Sequence, residues 1–414
     1  MGLPNVTINI GNGALGRRNP SKDMVSAMIG NGVSPGSSPL LQLGTSYQLK
    51  STNDAVTLGI DADYDTTNNV LVHHHIKEFF RMNPDGELWI MLLADTVSLT
   101  DMLDVANTSN AAKLLLDAGG NVRRLGAFRC PATNYTPTTT DGIDADVLTA
   151  IAKAKALKAQ EDAAHRNLGG IIIEGRSFTG SATNAEDLVG GGYDADGVAV
   201  TILQDYDVAA THAIHAGYAA LGTVLGSRSK AKVNEDTMWV EKFNLQDMSV
   251  PIFENVSLSS NLLLSSYSDT DLGTLHDKGY IFGRKYVGVD GVYLNSNKCA
   301  TAASSDYAYL PDNEVIAKAA RLIYAALVPK LGNPVSVDTT TGKLDRTFVA
   351  YLERLGHTSL SEMETGQEIS GKDVFVDPDQ NVLSTSEITL KFSITPTGTA
   401  RAITADLSFT NPFV

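Results

Sequence analysis

Four short strand-like runs recur at intervals filled by helical text, and this rhythm constrains the fold more than any other feature. They are ELWIMLLA (87–94), VRRLGAFRC (122–130), LGGIIIEG (168–175) and VAVTILQDYD (198–207). ELWIMLLA and LGGIIIEG are short and apolar enough to be buried strands. Before, between and after them lie HHHIKEFFRMN (73–83), DMLDVANTSNAAKLLLDAG (101–119), DADVLTAIAKAKALKAQEDAAHRN (144–167) and AATHAIHAGYAALGTVLG (209–226), each read as a helix, with VTLGI (56–60) as a further short strand. Strand–helix–strand alternation predicts a mostly parallel sheet with helices on both faces.

The rhythm changes after Gly226. SVPIFENVSLSS and DLGTLHDKGYIFGRKYVGVDGVYLNSNKC carry short aromatic strands, with Asp290-Gly291 as a candidate hairpin turn. DNEVIAKAARLIYAALVPKLG reads as a helix opened by Asn313 before Glu314 and closed by Pro329, and KLDRTFVAYLERLGHTSLSEM as another. A β-meander with turns at Asp377-Pro378 and Thr397-Gly398 then runs into AITADLSFT (402–410), which alternates apolar and polar residues. The expected class is α/β plus α+β. Residues 1–22 are read as an N-terminal arm, 23–265 as the α/β body, 266–400 as a C-terminal α+β domain and 401–414 as a C-terminal strand arm.

Charge bears on partners. With 32 basic against 47 acidic residues among 414, the chain carries −15, which disfavours a broad nucleic-acid or anionic-membrane surface. No apolar run approaches the ~18 residues of a membrane span, and the first residues lack the pattern of a signal peptide, so a soluble chain is expected. Cys130 and Cys299 lack metal-ligand spacing and read as small buried hydrophobes.

Several local patterns suggest chemistry and fall short of it. Gly11, Gly13 and Gly16 follow the strand NVTINI and spell G-x-G-x-x-G, but a dinucleotide site needs a helix starting at the third glycine. Pro20 interrupts such a helix, and from Arg17 to Asn53 the only acid is Asp23, too early to bind a ribose. His73, His74 and His75 are consecutive, so they point to different faces and cannot converge on one ion. His212 and His215 have a chelating spacing, without H-E-x-x-H or an assignable acidic ligand. Ser177 follows a buried strand, yet its second glycine comes one residue late for a nucleophile elbow. The aspartates of DADYD (61–65) and DADG (194–197) lack EF-hand spacing. No catalytic set, cofactor or metal is expected; the alternative is a cytosolic α/β enzyme using the Gly11–Gly16 loop or Ser177, and a third reading is a non-contractile structural protein such as a tail tube or capsid component.

Bare strands at both ends, each on a flexible lead, suggest an assembly device, because unpaired strand edges recruit neighbours. The stretch LHDKGYIFGRKYVGVDGVYLNSNKCA, the helix DNEVIAKAARLIYAALVP, GKLDRTFVAYLERLG and VDPDQNVLSTSEITLKFSITPTGTARAITADLSFTNP resemble the tail sheath proteins of contractile bacteriophages and related injection systems. The resemblance implies a structural, non-enzymatic subunit that forms stacked rings or a helix around a tail tube, bounded by baseplate and tail terminator proteins. It implies contraction that drives the tube through an envelope, and a place in a virion tail assembled in the host cytoplasm, with no nucleic acid and no membrane insertion. The donor strands it implies are Val6, Thr7, Ile8, Asn9 and Ile10, and Ala405, Asp406, Leu407, Ser408, Phe409 and Thr410. Gly11, Gly13 and Gly16 would form the hinge, Ile388, Leu390, Phe392 and Ile394 the acceptor sheet, and Lys318 and Arg321 a contact to the tube.

Overall fold

A computed structural model of the chain describes residues 23–34, 40–246 and 249–410. Six strands build the expected parallel sheet: β1 (Val25–Asn31), β3 (Glu87–Leu93), β4 (Arg124–Ala127), β5 (Gly170–Glu174), β6 (Val198–Thr201) and β9 (Tyr280–Ile281). β2 (Ser46–Leu49) adds an antiparallel edge, giving the order β9-β6-β5-β4-β1-β3-β2. The helices over it are α1 (Val72–Met82), α2 (Leu99–Leu103), α3 (Ala111–Asp117), α4 (Ala145–Ala163) and α5 (Leu221–Lys230).

Strand periodicity divides the core into two layers. Met28, Leu88, Ile90 and Ile172 face one side, against Ile76 and Phe79 of α1 and Leu221 and Leu225 of α5. Ala27, Ile29, Met91, Ile171 and Ile173 face the other, against Met102, Leu114, Val147 and Ile151 of α2, α3 and α4. Close approach of α1 and α5 depends on glycine. A methyl group on Gly222 would lie 2.2 Å from the His75 carbonyl oxygen, and one on Gly226 2.6 Å from that of Phe79.

Four sequence expectations are corrected. VTLGI is not a strand, because Thr52–Thr57 is helical and Leu58 follows as its cap. The single helix expected over 209–226 is broken into Tyr206–Ala209, a 3-10 turn at Ala213–Gly217 and α5, with extended backbone at His212 and Tyr218 between them. VAVTILQDYD divides at Ile202, whose side chain enters one core layer while Leu203 enters the other. β6 stays in the main sheet, whereas β7 (Leu203–Asp205) pairs with β8 (Val256–Leu258) in a smaller one. The hairpin β10 (Gly283–Tyr286) and β11 (Val289–Leu294) turns at Val287-Gly288; Asp290-Gly291 lies inside the strand.

The body also reaches further than residue 265. α6 (Asp269–Asp277) leads into β9, which pairs in parallel with β6, Tyr280 opposite Val200, and Val292, Leu294 and Cys299 are buried in the body's own core. These apolar side chains tie 266–299 to the sheet before the C-terminal unit begins.

That unit starts with α7 (Leu310–Leu327), which carries Pro311 in its first turn, and continues with α8 (Arg346–Ser359), capped by the Asp345 carboxylate. The expected meander is a two-stranded antiparallel sheet of β12 (Ile369–Val376) and β13 (Leu390–Pro396), joined through a short helix at Val382–Thr385.

Candidate assembly interface

The β12–β13 sheet is covered on one side only. Leu390, Phe392 and Ile394 alternate toward the helices and are half-buried, while Lys391, Ser393 and Thr395 point out. Ile388 precedes the strand rather than belonging to it, yet packs in the same apolar cluster with Leu344, Leu352 and Val376. α8 seats closely: a methyl on Gly356 would lie 2.7 Å from Val374 and 3.0 Å from Phe392. Among the described residues this sheet has two strands, so each strand keeps one edge without a ladder partner. A two-stranded ribbon is marginal by itself and gains from added strands.

Beyond Pro396 the chain crosses the body and then leaves it. Asn234 Nδ2 donates to Thr397 Oγ1 and to the Gln367 carbonyl, both at 3.0 Å. Arg401 stacks on Tyr309, its guanidinium 3.5 Å from the ring centroid, and places Nη2 3.2 Å from Asp236 Oδ2. Past Arg401 the side chains are open to solvent: Ile403 is 87% exposed, Leu407 100% and Phe409 107%. Residues 405–410 form no strand within the subunit, and their apolar positions 403, 405, 407 and 409 share one face of an extended chain. The first donor segment, Val6 to Ile10, and the glycines 11, 13 and 16 lie outside the described residues.

Lys318 and Arg321 depart from expectation. Instead of presenting charge outward, Lys318 is 8% exposed and binds Asp23 at 2.7 Å and Glu368 at 2.7 Å. Arg321 donates to the Asn167 carbonyl and lies 3.5 Å from Asp23. Burial pushes the Lys318 ammonium down, but its two carboxylate partners outweigh that and raise it. Burial, with Arg123 beside it, pushes Arg321 down to about 9. Both cations serve the subunit's own interior because their helix face lies against the chain at Asp23.

Next to them is a group that sequence reading missed. Glu314 of α7 is 3% exposed and receives a two-pronged fork from Arg124 of β4, 2.6 Å on each prong, and a second from Arg228 of α5 at 2.9 and 2.7 Å. Burial pushes its carboxyl up, but the two guanidiniums outweigh it and hold it below the usual carboxylate range. One signal pointed to it: Arg124 sits in an apolar strand run, and a buried charge needs a counter-ion.

The chemical candidates are each engaged locally. His75 Nδ1 accepts from the Gly222 amide, and the backbone amides of His73 and His74 bind the Asp65 carboxylate. His212 Nδ1 accepts from the Ile214 amide, and His215 Nδ1 is 3.0 Å from the Thr211 hydroxyl. Ser177 has a left-handed backbone, with φ of 56°, and its amide donates to the Gly217 carbonyl. Cys130 and Cys299 are buried free thiols. Among the described residues no His, Cys, Asp and Glu group is arranged to hold a metal, and no helix is long and apolar enough to cross a membrane.

The whole chain superposes on proteins of known assemblies. It is similar to the contracted helical sheath of the anti-feeding prophage, with 16% identity over 99% of both chains and a TM-score of 0.61. It is also similar to the contracted PVC sheath complex of an extracellular contractile injection system, with 12% identity over 100% of this chain and 98% of that one and a TM-score of 0.56. A sheath tail protein from Desulfitobacterium hafniense matches at 10% identity over 95% of this chain and 100% of that one, with a TM-score of 0.50. The fold is therefore that of the contractile sheath proteins.

By sequence the chain belongs to the DUF2586 family. Residues 3–297 match the model of its N-terminal domain and residues 306–414 that of its C-terminal domain, a division downstream of the expected residue 265. No curated protein matches it.

Proposed function

We propose that the chain is the structural subunit of a contractile sheath, joined to its neighbours by exchanged β-strands. The observation that carries this is the bare, alternating segment Ile403–Phe409, fully solvent-exposed at its apolar positions, beside a two-stranded sheet with open edges. Leaving Leu407 and Phe409 in water forgoes roughly 1.5–3 kcal/mol for each, which seating on another subunit would recover. In this reading Ala405–Thr410 of one copy and Val6–Ile10 of another extend the β12–β13 sheet of a third, packing over Leu390, Phe392 and Ile394. Gly11, Gly13 and Gly16 let the N-terminal strand swing without breaking its pairing.

Such a lattice encloses a tail tube and contracts by repacking its interfaces, each subunit supplying a small part of the total. Lys318 and Arg321 then hold the subunit together, and contact with the tube falls to other residues. Electron microscopy of the purified protein checks the reading: hollow tubes or stacked rings are expected, and removal of residues 1–12 is expected to leave a folded chain that no longer polymerises. Uniform small particles at all concentrations and salts, or undiminished polymerisation of the truncated chain, would contradict it.

A further inference from the structure

The described chain begins at Asp23 and leaves the subunit after Arg401, and the polar contacts holding these two positions run into one another. Lys318 grips the Asp23 carboxylate, and Arg124 Nη1 donates to the Asp23 carbonyl at 2.6 Å. Arg124 is forked to Glu314, and Glu314 to Arg228. Arg228 in turn donates to the backbone carbonyls of Lys232, Val233 and Glu235, filling the inside of the 232–236 loop. The same loop carries Asn234 and Asp236, the two residues that hold Thr397 and Arg401. Lys318 also binds Glu368, the residue before β12, so the open-edged sheet is fixed to the same contacts.

Every charge in the middle of this chain is buried, and a buried fork–fork pair is rigid because its geometry satisfies both partners at once.

On the strand-exchange reading, we propose that Arg401 and Asp23 are positioning residues: they root both arms in a single network centred on Glu314, which fixes the spacing and direction in which donor strands leave the subunit. The mobile part of the C-terminal arm then begins at Ala402. The roots lie at the ends of the network, so weakening one loosens the geometry without emptying the buried centre.

Arg401→Gln and Asp23→Asn, made singly and together in the full chain, test this against a chain lacking residues 404–414. Each single variant is expected to raise the critical concentration for polymerisation at least tenfold, while circular dichroism and thermal unfolding of the unassembled chain stay within a few degrees of the parent. Arg401→Lys is expected to recover only part of the loss, since it keeps the charge but not the planar stack on Tyr309. In urea unfolding of the unassembled chain, the double variant is expected to shift the midpoint by less than the sum of the two single shifts, as one network requires. Parent-like polymerisation of Arg401→Gln, with the arm truncation still abolishing assembly, would overturn the positioning role alone. Strictly additive urea shifts would show two separate clasps and overturn the shared network. Undiminished assembly after the arm truncation would instead overturn the strand-exchange reading.

Discussion

At the scale of single residues, Glu314 is the most exacting site. Its carboxylate neutralises two buried guanidiniums, so Glu314→Ala leaves both without a counter-ion. A loss of roughly 3–5 kcal/mol in chemical unfolding is expected, against less than about 1 kcal/mol for removing the exposed pair Lys113–Asp117. Acid acts through histidine. Burial holds His75 well below, and His74 below, the usual histidine range, and pushes His215 down to about 4. At these three histidines the unfolded chain therefore binds protons before the folded one does, whereas Asp65, whose carboxyl burial pushes up to about 7, acts in the opposite sense. The stability that the histidines contribute above pH 6.5 is lost as pH falls from there toward 4, and an unfolding midpoint that drops less across this window in His215→Gln than in the parent checks it. These residues also show what sequence could and could not disclose. That Arg124 needed a partner followed from a charge in an apolar strand; that the partner was Glu314, 190 positions on, followed only from the fold.

At the scale of elements, the apolar runs 87–94, 122–130 and 168–175 became strands where their composition placed them, because strands buried on both faces leave little freedom of reading. Residues 209–226 misled for the opposite reason. Their alanines and histidines favour helix locally, but Asp205 caps a short helix, Gln204 Nε2 binds the carbonyls of Ala216 and Tyr218, and the turn is held off the helical path. The meander expectation failed at its last strand, since residues 405–410 form no strand within the subunit. Packing of α1 on α5 gives a direct prediction. Gly222→Ala sets a methyl against the His75 carbonyl, so the helices must separate and the protein should lose roughly 1–3 kcal/mol despite the better helix propensity of alanine. An unchanged or raised melting temperature would show that the pair has slack.

At the scale of the whole molecule, the subunit has two finished cores in the body and an unfinished edge. The body's layers are filled by side chains of its own sheet and helices. The C-terminal unit is half-covered, and the segment that follows it carries three large apolar side chains in water. The alternation of AITADLSFT disclosed that imbalance in the sequence, and the resemblance to sheath proteins, carried by four C-terminal stretches together, reached the fold. The roots of the arms were not legible, since Arg401, Asp236, Arg228 and Glu314 are dispersed over 174 positions and meet only in three dimensions. A density map of the assembled protein tests strand exchange most directly. It is expected to show β12–β13 extended to four strands, with 405–410 of one neighbour and 6–10 of another along the open edges; a polymer in which that sheet keeps two strands and both arms stay with their own subunit would contradict it.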